Sequence, residues 1–464
     1  MIDELLVSAT PFGVRTAALA GGEVLAFNAE SVGTPSLLEN IYSAADGRRS
    51  GAARFVAIAK EQNAFLQKSG SGGGGNDNPL VQVTRAAWRG KAPRVSAEPS
   101  LVGRYMVYLP TGSGAKVAQR IEPAAARERL LALARRIAED GGGVTMRSAA
   151  ENAAEEAILA EAARHRGKWA EINAKRAAAA PPVLLASGPG LAERQMRDVL
   201  APGARIVTDD AAALARLSAY ATDWAPEFVD RLEHAKGALF ERHDAGGALA
   251  AACAPEVPLV GGGRLIIEPT QALTAIDVDS GVRAGTRASA LRATCMEAAT
   301  AAAREIRLRN LAGLIVIDFP RLDAGDAGPA LMAEMQGRMR ADPVPHKVTD
   351  LSPSGLMEIT RRRGEAPILD ALTEPMDGSY GGRRRRLDAL AFDIADAARL
   401  QVQAGARAVT LRVAPALAEF LNDIDGDGAA GGQSHLRLGD WLRAGISVRS
   451  EPERGREDWE IEAA

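Results

Sequence analysis

One stretch of the chain, residues 265–318, limits the possible folds more than any other. Residues 272–278 and 314–319 are short apolar runs rich in Ile and Val. Runs of this kind are typical of buried strands. Residues 288–308, between them, have the composition of a helix and are long enough to cross over a sheet. A strand, a crossover helix and a second strand predict two parallel neighbours.

Each of these two strands carries an aspartate at its end, Asp277 or Asp318. Parallel neighbours place their carboxyl ends at one sheet edge, so we expect both side chains to face one crevice. Two carboxylates there suit a hard cation such as Mg²⁺, which prefers oxygen ligands and bridges to phosphate. The spacing leaves an alternative open, in which the two aspartates are unrelated and only cap loops.

The composition is that of a soluble globular protein. The chain has 464 residues, 47% hydrophobic and 25% charged, which is enough for about three domains. It lacks both a run of about 18 apolar residues and a signal-peptide pattern at its start, so we expect no spanning helix and no secretion. Cys253 and Cys295 lie outside any Cys-x-x-Cys spacing, which favours the reducing cytoplasm. Because the net charge is −3, any nucleic-acid surface must be local.

Four sequence blocks follow one another in this region: IEPTQALTAIDVDSG, MEAA, REIRLRNLAGLIVIDF and GLMEITRRR. In this order and spacing they resemble the ribonuclease E/G family of bacterial endoribonucleases, and in particular its short ribonuclease G-like members. Four ordered blocks over roughly 100 residues are far more specific than one short motif. The resemblance implies that Asp277 and Asp318 hold a catalytic Mg²⁺. Asp279, where the family usually has Asn, is a third candidate metal ligand.

The resemblance also implies an α+β multidomain fold. It predicts a ribonuclease-H-like subdomain with inserted OB-fold and 5′-sensor domains, a DNase I-like catalytic subdomain and a small C-terminal α/β domain. The expected limits are 1–34 and 193–252 for the two parts of the ribonuclease-H-like subdomain, 35–96 for the OB-fold, 97–192 for the 5′-sensor domain, 253–368 for the catalytic subdomain, and 369–464 for a linker and the C-terminal domain.

The expected OB-fold suggests a surface for single-stranded RNA. The aromatic residues that match the family are Phe55 and Phe65, with Lys91 as a candidate phosphate contact. Bases stacked on such rings contribute about 1–3 kcal/mol each. The alternative, that both rings belong to the barrel core, stays open. The glycine-rich residues 69–78 predict a flexible loop and not a phosphate cradle.

Arg147 and Ser148 match a pair that, in the family, senses a 5′ monophosphate on RNA. Here Ser stands where Thr is usual. A guanidinium grips phosphate through two hydrogen bonds, and a hydroxyl donates one more. Taken alone, an Arg-Ser pair is most often a surface turn.

Arginines are frequent in the sequence around the aspartates, and we expect some of them to hold phosphodiester oxygens near the metal. They are Arg283, Arg287, Arg304, Arg307, Arg309, Arg361, Arg362 and Arg363. Glu297, in the MEAA block, is a candidate for orienting the metal site.

The sequence therefore predicts a Mg²⁺-dependent endoribonuclease that hydrolyses single-stranded RNA in RNA processing or decay and is stimulated by a 5′ monophosphate. One alternative is a non-catalytic RNA-binding relative acting in ribosome or transcript assembly, and another is a metal phosphodiesterase acting on DNA. Where the family usually has a Cys-Pro-x-Cys zinc link, this chain has GEAPILDALTEP. We therefore expect no zinc, and a homo-oligomer is left open. The blocks DFPRLD and SPSG also depart from the family pattern.

Overall fold

A computed structural model describes residues 2–463 except 51–52, 68–77, 89, 238, 282–286, 323–326, 377–381 and 425–437. The strands are β1 (Ile2–Thr10), β2 (Gly13–Ala20), β3 (Glu23–Ser31), β4 (Ile41–Ser43), β5 (Ala45–Ser50), β6 (Ala53–Ala59), β7 (Gln62–Leu66), β8 (Leu80–Arg85), β9 (Arg94–Ser96), β10 (Leu101–Val102), β11 (Met106–Leu109), β12 (Ala115–Val117), β13 (Gly143–Met146), β14 (Val183–Ala186), β15 (Leu200–Thr208), β16 (Leu232–His234), β17 (Glu256–Leu259), β18 (Gly263–Pro269), β19 (Thr274–Asp279), β20 (Gly313–Asp318), β21 (His346–Val348), β22 (Leu356–Arg361), β23 (Thr373–Pro375), β24 (Arg383–Arg385), β25 (Ala408–Val413), β26 (Gly445–Ser450) and β27 (Trp459–Ala463).

The α-helices are α1 (Ala124–Glu139), α2 (Glu155–Ala178), α3 (Leu191–Asp198), α4 (Ala211–Trp224), α5 (Leu239–Arg242), α6 (Ala245–Cys253), α7 (Arg287–Leu308), α8 (Ala327–Met339), α9 (Ile368–Leu372), α10 (Leu387–Gln403), α11 (Pro415–Ile424) and α12 (Leu438–Leu442). Two short 3₁₀ helices span Ser148–Ala150 and Pro226–Arg231. None of the described helices is long and apolar enough to cross a membrane.

The chain divides into two compact units. The first unit comprises Met1–Pro35, Val199–Ser218 and Asp230–Ala464, and the second comprises Ser36–Asp198 and Ala219–Val229. Each unit contains its own mixture of helices and sheets, which is an α+β arrangement. The subdomain names and limits that the sequence suggests stay predictions.

The first unit contains a six-stranded sheet in the order β17-β18-β19-β20-β22-β21. The predicted strand, crossover helix and parallel strand are present in it as β19, α7 and β20. Small alanines on α7, such as Ala298 and Ala302, pack on Ile276, Ile315 and Ile317. The strands alternate buried and exposed residues, so they are buried on one face and not on both. The open face carries Asp277 and Asp318.

The first unit has further sheets in the orders β16-β15-β1-β2-β3, β26-β25-β27 and β23-β24. Strand β1 pairs in parallel with β15, which lies far along the chain. In the second unit, one sheet has the order β14-β4-β8-β9-β7-β6-β5 and the other has the order β10-β11-β13-β12. The amphipathic α1 buries Leu130, Leu133 and Ile137 in the core of this unit.

Candidate functional site

Asp277 and Asp318 lie side by side on the open face of the six-stranded sheet. They are register partners at the carboxyl ends of the parallel strands β19 and β20, and both are exposed. Among the described residues, neither carboxylate has a hydrogen-bond or ion-pair partner. Neighbouring strands lie about 4.8 Å apart, so both side chains can reach one cation whose oxygen ligands lie at about 2.1 Å. The pair therefore fits a hard divalent ion.

The donor set of this pair is small. The described part of the chain contains no cluster of three or more His, Cys, Asp or Glu side chains arranged to hold a metal. An ion on two protein carboxylates keeps several waters and takes further oxygens from phosphate, as Mg²⁺ does at phosphoryl-transfer sites. The geometry suits a metal shared with a phosphate-bearing substrate better than a permanent structural metal.

Asp279 lies on the same face, at the end of β19, but its carboxylate is already engaged. One oxygen lies 3.2 Å from Nε of Arg264, and the other accepts a hydrogen bond of 3.1 Å from the backbone N–H of Gly281. Arg264 is also the register partner of Asp279 on β18. The structure therefore brings Asp277 and Asp318 together and places Asp279 against Arg264.

A tight turn formed by the SPSG block holds the end of β20. Gly355 has φ +97°, and a Cβ there would meet the Phe319 carbonyl oxygen at 2.6 Å. The N–H of Phe319 donates to the Gly355 carbonyl at 3.1 Å, and Asp318 pairs with Leu356. A block that departs from the family pattern thus forms the turn beside Asp318, and glycine is required in it.

Two of the arginines near the aspartates in the sequence, Arg309 and Arg361, are engaged in ion pairs with other carboxylates. Arg361 is the register partner of Gly313, at the far end of β20 from Asp318, roughly 17 Å away at about 3.3 Å per residue. Arg361 is buried and binds Asp342 at 2.6 and 3.0 Å, and Arg309 donates to Glu305 at 2.7 Å. Both are structural ion pairs.

Four further candidates near the aspartates in the sequence are Arg304, Glu297, Arg283 and Arg287. The exposed Arg304 pairs with Glu23 and Glu305. Glu297 accepts hydrogen bonds of 3.0 and 3.2 Å from the backbone of Gly261 and so fixes the turn between β17 and β18. Arg283 and the side chain of Arg287 lie outside the described residues, as does most of the glycine-rich segment.

Phe55 and Phe65 form an aromatic pair on the outer face of the second unit's larger sheet. They are register partners on β6 and β7, with ring centroids 5.7 Å apart. Their neighbours Val56 and Ala64 point into the core instead. The two rings are half-buried and are not among the buried residues that form the core of this sheet.

Cationic side chains accompany this aromatic pair. The guanidinium of Arg94 lies 5.6 Å from the centroid of the Phe65 ring. Lys91 is exposed, and its backbone forms a bridge with Trp88. Arg94 is not among the residues predicted from the sequence, although an arginine beside a basic segment that contains an aromatic residue indicates RNA binding.

Arg147 lies at the start of a 3₁₀ helix, and Ser148 beside it is exposed. The Arg147 guanidinium donates to Asp198 at 2.7 Å and to the Gly103 carbonyl. Burial alone would raise the pKa of Asp198, but the Arg197 and Arg147 guanidinium groups hold it well below its ordinary value. Arg147 is thus fixed in place by a carboxylate that stays ionised.

The ion-pair network extends beyond Asp198. Arg197 is almost fully buried, and its guanidinium donates to both carboxylate oxygens of Glu39 at 2.6 and 2.7 Å. Asp198, Arg197 and Glu39 were not predicted from the sequence as neighbours of Arg147. The Arg-Asp dipeptide at the end of α3 is a local pattern that does not indicate which distant residues it binds.

Comparison with known proteins adds a family assignment to this geometry. A model of the ribonuclease E/G family matches residues 100–364. Ribonuclease G of Salmonella typhimurium is 29% identical over 427 residues, which are 85% of this chain and 87% of that protein. Ribonuclease G of Escherichia coli matches to the same extent. Ribonuclease E of a Nostoc species is 34% identical over 312 residues, 65% of this chain and 45% of that longer protein. The chain therefore belongs to the ribonuclease E/G family.

Proposed function

We propose that this chain, an endoribonuclease acting in RNA processing or decay, hydrolyses single-stranded RNA with a Mg²⁺ ion held by Asp277 and Asp318. The observation that carries the proposal is the register pairing of two exposed carboxylates that, among the described residues, have no partner. Free carboxylates at adjacent strand ends repel one another unless a cation joins them. When bound, Mg²⁺ supplies an activated water and neutralises charge on the phosphorane-like transition state.

The chain's own residues bind and orient the strand. Phe55 and Phe65 present their rings for stacking with bases, and Arg94 and Lys91 supply positive charge for the adjoining phosphates. Such contacts tolerate any base sequence, because every base has a flat face. This surface accounts for strand binding, and the aspartate pair accounts for cleavage.

Arg147 and Ser148 would bind a 5′ monophosphate. A guanidinium has five N–H donors. Arg147 uses one N–H of each terminal nitrogen, for Asp198 and for the Gly103 carbonyl, so donors are left for a phosphate. The exposed Ser148 hydroxyl adds a donor next to it. Asp198 therefore acts as the residue that positions Arg147 for phosphate.

A second candidate function is a non-catalytic RNA-binding protein. The observation in its favour is the Asp279–Arg264 ion pair, which places a salt bridge where the family usually has a neutral Asn. In that case the RNA surface would operate and the aspartate pair would not turn over substrate.

Incubation with labelled single-stranded RNA decides between the two functions. The RNA carries a 5′ monophosphate, triphosphate or hydroxyl, and each is assayed with Mg²⁺ or with EDTA. We expect cleavage only with Mg²⁺, and faster cleavage of the monophosphorylated strand. RNA binding without cleavage at any Mg²⁺ concentration would establish the non-catalytic function instead.

A further inference from the structure

The second unit contains a pocket that neither the aspartate pair nor Arg147 explains. Its volume is about 220 Å³, and its lining includes Glu39, His165, Lys168, Tyr220 and Trp224. A cavity of about 150 Å³ takes up benzene, so this pocket has room for one heterocyclic ring. Arg147, Ser148, Phe55 and Phe65 are not among its lining residues. It is therefore distinct from the Phe55–Phe65 pair, and it adjoins the ion-pair network of Arg147 through Glu39.

Polar groups in this pocket lack partners. The His165 side chain is 1% exposed, and neither ring nitrogen has a hydrogen bond within the described chain; Nε2 lies 3.7 Å from Glu161. Lys168 and Tyr220 are half-buried, and the described residues provide no hydrogen bond or ion pair for the ammonium or the hydroxyl. A buried polar group without a partner, such as the His165 ring, is unfavourable, and the two half-buried groups are free to bind a ligand.

The charge of the pocket indicates which ligand it takes. Lys168 is half-buried, and the loss of solvation lowers the pKa of its ammonium group. The neighbouring carboxylate of Glu39 binds Arg197, which donates hydrogen bonds to both of its oxygens. The Lys168 ammonium lies 5.5 Å from the centroid of the Trp224 ring. The charges of Glu39 and Glu171 favour its protonated form, but it forms no direct ion pair with a described residue. An anionic group at Lys168 would supply the missing partner.

The walls of the pocket indicate the rest of the ligand. Ile41, Leu101 and Pro189 supply aliphatic surface, and Tyr220 and His165 supply aromatic surface. Such walls suit a flat ring, and the Lys168 ammonium suits a phosphate. A ligand that combines a flat ring with a phosphate is a nucleotide.

We propose that this pocket binds a single nucleotide, with its base against the aromatic and aliphatic walls and its phosphate at Lys168. The nucleotide is either a free mononucleotide or one unpaired nucleotide of a bound RNA strand. Only the second source depends on the proposed RNA function. Nucleotide binding is measured without cleavage, so Asp277→Asn should leave nucleotide binding unchanged. A failure of the nucleotide proposal can therefore be distinguished from a failure of the proposed cleavage mechanism.

The test compares two lysines of the same helix. Lys168→Met removes the ammonium that lines the pocket, and Lys175→Met removes an exposed one from α2 as a matched control. Binding of 5′-AMP, 5′-UMP, adenosine and inorganic phosphate to the whole chain is measured by calorimetry, together with the rise in Tm that each causes. We expect the nucleotides to bind more tightly than adenosine or phosphate. Lys168→Met should weaken them about tenfold or more, and Lys175→Met less than about twofold.

A second variant and a competition complete the experiment. Tyr220→Phe removes only a hydroxyl and should weaken the nucleotide about three- to tenfold with the fold intact. Short single-stranded RNA displaces the mononucleotide if the pocket holds a base of the strand, and leaves it bound if the ligand is free nucleotide. The proposal is overturned if no nucleotide binds the parent protein, or if Lys175→Met weakens binding as much as Lys168→Met.

Discussion

Asp279 forms an ion pair with Arg264, and the expected effect of Asp279→Asn on RNA cleavage follows from this contact. Both side chains are nearly half exposed, so the pair contributes about 1 kcal/mol or less to stability. We expect Asp279→Asn to cleave RNA at least as fast as the parent at saturating Mg²⁺, because it removes negative charge beside the incoming phosphate. Mg²⁺ titrations of the cleavage rate, with Glu256→Gln as a control for the other partner of Arg264, test this. Collapse of cleavage in Asp279→Asn alone would instead make Asp279 a metal ligand.

Arg147 should control the response to the 5′ end. Arg147→Ala removes a charged donor, which is worth roughly 1.5–3 kcal/mol, so monophosphorylated RNA should lose its advantage over hydroxyl-ended RNA. Rates on the two substrates are compared with those of Arg136→Ala, which removes an exposed arginine of the same unit. Equal rates on both ends in the parent protein would rule out a phosphate sensor.

At the residue scale, the sequence predicted some neighbours and could not predict others. The adjacency of Asp277 and Asp318 follows from local patterns, since two parallel strands joined by a helix bring their carboxyl ends together. The contact between Arg147 and Asp198 spans 51 residues and has no such pattern. The partner of Asp279 depends on the antiparallel register of β18, which periodicity does not determine.

The turn before β22 is the element on which the position of Asp318 depends. Gly355→Ala would place a Cβ against the Phe319 carbonyl at a positive φ, at a cost of about 1–3 kcal/mol. We expect a lower free energy of unfolding in urea and slower cleavage, because the end of β20 must shift. Gly364→Ala is the control, since its Cβ would meet nothing within 4 Å. If Gly355→Ala behaves like Gly364→Ala, the turn does not position Asp318.

The paired rings on β6 and β7 should serve RNA binding and not stability. Phe65→Leu keeps an apolar side chain on the outer face but removes the stacking surface and the ring beneath Arg94. We expect RNA affinity to fall by about 1–3 kcal/mol with an unchanged urea midpoint. A lower midpoint with unchanged RNA affinity, measured by fluorescence anisotropy, would show that the ring is structural.

Helices were easier to predict than the burial of strands. The helical composition of residues 288–308 matches α7 (Arg287–Leu308) almost to its ends, because helix propensity is a local property. The apolar runs around Asp277 and Asp318 predicted buried strands but did not indicate which face is covered. Among the described residues, α7 and α8 pack on one face of the sheet, and that depends on how distant elements pack.

In the whole molecule, the first unit is formed by segments that are separated in the sequence by parts of the second unit. The first unit is assembled from three separate segments, and β1 joins β15 across almost 200 residues of sequence. Local periodicity cannot reveal such a pairing; only the family resemblance pointed to it. The candidate metal pair belongs to the first unit, and Arg147 and the two rings proposed to stack with RNA belong to the second.

The central claim is that Asp277 and Asp318 together hold the ion on which cleavage depends. The most direct measurement is the binding of Mn²⁺, a spectroscopically visible substitute for Mg²⁺, alongside Mg²⁺-dependent cleavage of single-stranded RNA. The parent protein is compared with Asp277→Asn, Asp318→Asn and Glu358→Gln, the last of which removes an exposed carboxylate from the same face of the sheet.

We expect the two Asn variants to lose both ion binding and cleavage, by about a hundredfold or more, since even outer residues of metal sites cost 10–100-fold. Glu358→Gln should retain both, and all four proteins should bind RNA alike. If Asp277→Asn and Asp318→Asn bind the ion and cleave RNA as well as the parent does, the proposed mechanism is wrong.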